Sequence, residues 1–212
     1  MHQIEEIAEH IRLLFDARTA ARDRALAQAR LLTRHCANAI RAIHRDEQLL
    51  AQEHLAEAQE LVKTIRNNLA DYPDLFFAGY TQDALKEYVE ARLVYALAED
   101  QDLPRPEQLG VEPATYMQGL AEASGEMRRR CLDKLRQGQS LEAERLLGLM
   151  DDIFTVLVTM DYPDAVTGGL RRLTDIARAV TERTRGDLTI SLGQEQLEAK
   201  LNRLEERLSK MD

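Results

Sequence analysis

Residues 83 to 100 read DALKEYVEARLVYALAED, and from Ala91 to Ala98 every position except Arg92 is apolar or aromatic. With no proline or glycine to interrupt it, such a run describes a helix largely buried among other helices. Its acids do not fit that reading by themselves. Glu87 and Glu90 are three residues apart, share a helix face and stand in register with Val94 and Leu97. Carboxylates leading into a buried column are costly unless something offsets their charge.

The rest of the chain repeats the helical signal. Apolar periodicity near 3.6 persists almost throughout, and no convincing alternating strand is present. Only 10 Gly and 5 Pro occur in 212 residues, against abundant Ala, Leu, Glu, Arg and Gln. The expected fold is therefore all-α, an antiparallel bundle of about seven helices. Their expected spans are 4–45, 47–70, 74–98, 113–136, 140–160 and 164–186, with a last helix from residue 191. Ser191 and Gln194 carry a capping-box spacing that predicts this last start. The stretch EDQDLPRPEQLGVEP, at 99–113, holds three of the prolines and predicts the main loop, with one short turn in it. DYPD occurs at 71–74 and again at 161–164, and reads as punctuation, with Pro stopping one helix and Asp capping the next. Organisation is expected as a helical domain over 1–190 and a C-terminal amphipathic helix over 191–212. On that helix Leu197, Leu201, Leu204, Leu208 and Met211 form a narrow seam at 4-3-4-3 spacing, about two heptads long. It is too short to be stable alone, so it packs on its own subunit or on a partner.

Composition limits function. Hydrophobic content of 44% and charged content of 31% are those of a soluble globular chain. No window of about 18 apolar residues exists, so no membrane-spanning segment is expected. The start, MHQIEEIAEHIRLLF, does not read as a secretory signal. Cys36 and Cys131 form no CxxC and fit a reducing, cytoplasmic setting as small buried residues. A net charge of −9 argues against a globally basic nucleic-acid binder but leaves room for a local stripe.

A second acidic pair lies in YMQGLAEASGEMRRRC, where Glu122 and Glu126 are four apart on one helix face. Like charges at that spacing cost a helix a few tenths of a kcal/mol. The residues around them, Gly119, Ala121, Ala123, Ser124 and Gly125, are small enough for another helix or a ligand to approach. If this helix packs on the one carrying Glu87 and Glu90, four carboxylates converge, a set of hard oxygen donors suited to Mg²⁺, Mn²⁺ or Ca²⁺. Taken singly, each acid reads equally well as solvated or paired with Lys86, Arg92 or Arg128 to Arg130. A di-iron bundle would need Glu-x-x-His motifs. All five histidines, His2, His10, His35, His44 and His54, lie away from these acids in the first two helices. An all-α nucleotide pyrophosphohydrolase would need Glu-x-x-Glu followed by Glu-x-x-Asp. Glu87 and Glu90 supply the first half, whereas Gly125 and Arg129 stand where the second needs Asp.

Along the first helix Arg30, Arg34, Arg41 and Arg45 fall, with Arg12, within an arc of roughly 60°. Ile7, Ile11, Leu14, Leu32, Cys36, Ile40 and Ile43 take the other side. Asp16 and Asp23 dilute the early part of the arc, and Arg18 and Arg22 leave it. The basic run proper is Arg30 to Arg45, roughly 24 Å of helix. Arginines on successive turns can follow a phosphate backbone, and a solvated face is the competing reading.

Taken in order, LKEYVEA, LGVEPATYMQGLAEASGEMRRRC, DDIFTVL and YPDAVTGGLRRLTDIARAVTERTRGDL resemble the translin superfamily, and within it the Trax-like branch (translin-associated factor X). The similarity covers roughly residues 15–188. It implies an all-helical subunit assembled with its own copies into a hollow, roughly octameric shell enclosing RNA. For the Trax-like branch it further implies an endoribonuclease dependent on Mg²⁺ or Mn²⁺ and acting on single-stranded RNA. The acidic motif of that branch falls on Glu87, Glu90, Glu122 and Glu126, and Glu122 stands where the branch has Asp. Arg30, Arg34, Arg41 and Arg45 would then hold the strand. A translin-like shell that binds single-stranded RNA or DNA without cutting it is the alternative, and a pyrophosphohydrolase a more distant one. Nothing is carried over to the seam at 197–211.

Overall fold

A computed structural model describes residues 2–210, and every described element in it is helical. The order is α1 (His2–His44), α2 (Gln48–Asn68), α3 (Pro73–Phe76), α4 (Gly79–Ala98), α5 (Pro106–Leu109), α6 (Pro113–Arg136), α7 (Ser140–Val158), α8 (Asp164–Thr167) and α9 (Leu170–Leu208). The all-α expectation holds, and the nine described helices include three single turns: α3, α5 and α8. No described helix is long and apolar enough to cross a membrane. The chain divides into two compact units, Met1–Leu120 and Ala121–Asp212, with the division inside α6.

In the first unit α1 turns back into α2 through a short link in which Asp46 takes the left-handed conformation, at φ 57°. The two helices run antiparallel, because Arg18 pairs with Asp74 while His35 meets His54 nearer the turn. Ala21, Ala25, Ala29, Leu32, Cys36, Ala39, Ile40 and Ile43 form the buried stripe of α1. Alanine at so many of these positions lets α2 and α4 lie close. Before residue 18, α1 runs past the end of α2, and Ile7, Ile11 and Leu14 are exposed. The apolar side expected from periodicity is there, but no described element covers it.

The span expected to begin at Asp74 is broken. Pro73 opens the single turn α3, the backbone bends at residues 77 and 78, and α4 starts at Gly79. Side chains mend the break: Thr81 Oγ1 donates to the Leu75 carbonyl at 2.8 Å and Gln82 Nε2 to that of Phe76 at 2.9 Å. Carbonyls that a helix end leaves without partners are thereby satisfied. Pro113 stands at the first position of α6, as expected.

In the second unit the later part of α6 packs with α7 and α9. Arg128 donates to Thr184 at 2.9 Å and to Asp187 at 2.7 Å, and the Cys131 thiol donates to the Ala143 carbonyl at 3.4 Å. Ser140 at the start of α7 donates to the Glu195 carboxylate at 2.6 Å. After α8, Gly168 and Gly169 take positive φ, and the Asp164 carboxylate accepts from the Gly169 amide at 2.7 Å. From Leu170 the helix then runs unbroken to Leu208. The new start expected at Ser191 is therefore absent. No proline interrupts 164–208, and an interior glycine such as Gly186 or Gly193 costs only about 1 kcal/mol relative to Ala. Thr181, Thr184 and Thr189 each donate to the carbonyl four residues back, so none competes with the helix. Leu197, Leu201, Leu204 and Leu208 are exposed, and Met211, the last residue of the expected seam, lies outside the described residues.

Candidate metal and nucleic-acid site

Helix α4 presents Glu87 and Glu90 from within the core. Tyr88, Val89, Ala91, Leu93 and Val94 are almost fully enclosed, and Glu90 is buried among them at 9% exposure. Glu87, a turn earlier, is half-buried. Ligand oxygens of the two carboxylates lie within 4.8 Å of one another, close enough to share one cation. Their field reaches Cys36 on α1. Burial chiefly raises that thiol's pKa, and the charges of Glu87 and then Glu90 raise it further. The Tyr88 phenol is likewise raised by burial, with Arg92 working the other way. Arg92 itself is tied to α2 through Gln59 Oε1 at 3.2 Å. The donors are all oxygen, so the pair fits a hard divalent cation better than a thiolate- or imidazole-seeking one.

Helix α6 is brought onto α4 by its first two turns. Thr115 Oγ1 donates to Gln82 Oε1 at 2.7 Å. At Gly119 an added Cβ would stand 2.6 Å from Val89 Cγ1 and 3.0 Å from the Lys86 carbonyl oxygen. The small residue expected to permit close approach does so here. Glu122 follows one turn later on the same helix and Glu126 about one turn after that. Both are half-buried, and Glu126 lies 3.9 Å from Arg129. Ala123 and Ser124 between them are buried.

Arg30, Arg34 and Arg41 on α1 and Arg45 in the turn just after it are all exposed. Arg41 donates to Asn38 on its own helix. Arg18 and Arg22, which periodicity set aside, are engaged with Asp74 and Asp23. A cleft of about 700 Å³ near Tyr162, Asp164 and Arg171 contains none of these acids or arginines. A cation held by helix-borne carboxylates needs no such concavity, so the acids are the stronger candidate. Periodicity gave no sign of the Gln82–Thr115 bond or of the α3–α4 break that sets where α4 begins, since both depend on distant contacts.

No family model matches the chain. An uncharacterized protein of Methanocaldococcus jannaschii is 33% identical over 192 residues, covering 90% of this chain and 85% of the relative. Among solved structures, AfC3PO in complex with duplex RNA matches with a TM-score of 0.79 and 30% identity over 91% of this chain and 97% of that one. AfC3PO without RNA matches equally well, again at 30% identity and a TM-score of 0.79. Apo-NeC3PO matches at 19% identity with a TM-score of 0.78, a likeness of fold alone.

Proposed function

This chain belongs to the translin superfamily, and from that membership we propose that it is a metal-dependent endoribonuclease of the Trax-like kind, working on single-stranded RNA inside an oligomeric shell of its own copies. The observation that carries the reading is Glu90: a carboxylate buried in α4 beside Glu87, the two with oxygens close enough to share an ion. In this reading Glu87 and Glu90 bind Mg²⁺ or Mn²⁺, Glu122 is a further ligand and Glu126 completes the set. The cation answers the cost of placing acids at the head of a buried column. Bound there, it supplies a Lewis acid for the phosphodiester and a water of lowered pKa for in-line attack. Among the protein groups, whichever of these carboxylates the cation engages least takes the proton. Arg30, Arg34, Arg41 and Arg45 hold the strand by its phosphates. The octamer, a cytoplasmic setting and an additional capacity for single-stranded DNA belong to the same proposal.

A binding shell without catalysis is the second reading, favoured by the neighbour captured with duplex RNA. End-labelled single-stranded RNA and a matching duplex separate the two when incubated with Mg²⁺, with EDTA, and with a Glu90→Ala, Glu126→Ala double variant. Metal-dependent cutting by the wild type, lost in a variant that still assembles, is the expected result. Binding without cutting across a range of Mg²⁺ and Mn²⁺ would overturn the nuclease reading.

A further inference from the structure

The α1–α2 interface carries a second group of metal-binding chemistry that the acids do not use. His35 on α1 and His54 on α2 meet with Nδ1 atoms 3.3 Å apart. Their rings are 5.5 Å apart, centroid to centroid, and inclined at 63°. Both side chains are half-buried, so water reaches the rings while the helices hold them. Without an ion, one neutral imidazole donates its Nδ1–H to the bare Nδ1 of the other. With both rings in the Nε2–H form, two lone pairs face the same gap.

The separation is informative. Two nitrogens bound to one tetrahedral Zn²⁺ at about 2.0–2.1 Å stand about 3.3–3.4 Å apart, the edge of the tetrahedron. The gap between His35 and His54 already has that length, so a borderline divalent cation can enter by a small turn of each ring. Helix geometry fixes this juxtaposition: the antiparallel pairing that sets Arg18 against Asp74 at one end sets His35 against His54 nearer the turn.

We propose that His35 and His54 form a two-histidine site for a borderline transition-metal ion, Zn²⁺, Ni²⁺ or Cu²⁺, that staples α1 to α2 and leaves its remaining positions to water. Imidazole donors select these ions over Mg²⁺, and Cu²⁺ binds most tightly among them. The site is separate from the carboxylates and independent of the nuclease reading. Its consequence is mechanical: Arg34 directly precedes His35, so a bound ion stiffens α1 where the arginine run lies.

The test uses the full chain with Mg²⁺ in large excess to fill any carboxylate site. Ni²⁺ at about a hundred times its dissociation constant is expected to raise the thermal midpoint by roughly 5 °C or more. A His35→Asn, His54→Asn variant keeps an amide near each Nδ1 position and is expected to lose that shift. One equivalent of Cu²⁺ is expected to show two equatorial nitrogens by electron paramagnetic resonance in the wild type, and not in the variant. An unchanged wild-type midpoint, or an equal shift in the variant, overturns the site. If the variant is too unstable for the thermal comparison, the Cu²⁺ spectrum of each folded single variant decides. Two nitrogens retained in either one refutes the pair, and their loss in both supports it.

Discussion

Gly119 on α6 lies so close to Val89 on α4 that a Cβ placed there would come within 2.6 Å of the valine Cγ1. Real carbon atoms do not approach so closely, and the backbone carbonyl of Lys86 blocks the other direction at 3.0 Å. The helix carrying Glu122 and Glu126 therefore meets the helix carrying Glu87 and Glu90 at a position only glycine fits.

Gly119→Ala is expected to destabilise the protein by about 1–3 kcal/mol through overpacking, despite alanine's better helix propensity. Gly186→Ala, on exposed helix with nothing within 4 Å of the added carbon, is expected to gain up to about 1 kcal/mol. Chemical denaturation of both variants checks the contrast. Equal and small effects would mean that α6 does not press on α4 as described.

Glu90→Gln removes a charge and one ligand while preserving shape. Mg²⁺ is expected to raise the thermal midpoint of the wild type and to leave that of the variant where EDTA puts it. RNA cleavage is expected to fall by at least about tenfold. A Mg²⁺ shift that survives in the variant would place the ion elsewhere.

Charge removal along the arginine run separates phosphate holding from chemistry. Replacing Arg30, Arg34, Arg41 and Arg45 by glutamine is expected to weaken RNA binding for all sequences alike. Each lost phosphate contact should also flatten the salt dependence by about 0.7 in log–log slope. Affinities measured over a salt series give that slope directly, and an unchanged slope would move the strand to another face.

Burial pushes the Cys131 thiol up from 9.0 to about 11, against the opposing pull of Arg128 and with a smaller push from Asp187. The folded state thus favours the protonated thiol. The stability tied to it is complete below the unfolded value and is lost as pH rises through the folded one. The advantage of the wild type over Cys131→Ala is expected to shrink between about pH 9 and about pH 11. Urea unfolding of both proteins across that range reads it, and a constant difference would contradict the shift.

Leu201 and Leu204 are about half exposed on the distal part of α9, at 49% and 53%. If copies of the chain cover them, Leu201→Glu with Leu204→Glu is expected to lower the mass of the assembly in light scattering. The helical circular dichroism should change little. An unaltered mass would leave this seam outside the subunit contacts.

The sequence by itself determined what local physics determines. Helix propensity and periodicity marked an all-α chain, and Pro113 marked where α6 begins. The run from Ala91 to Ala98 identified a buried helix with acids at its head, as Glu90 bears out. Tertiary structure decided what depends on contacts between distant residues. Thr81 and Gln82 satisfy the carbonyls at the α3–α4 break, which no periodicity announces. The capping-box residues at 191 and 194 sit inside α9, because a cap signal takes effect only where the preceding chain has left the helix. Ile7, Ile11 and Leu14 are apolar by pattern yet exposed, since periodicity defines a face but not what covers it. His35 and His54 are 19 residues apart and met only when α2 folded back along α1. Spacing along a helix is fixed at every turn by its own hydrogen bonds, whereas the distance between two helices is set by the side chains that separate them.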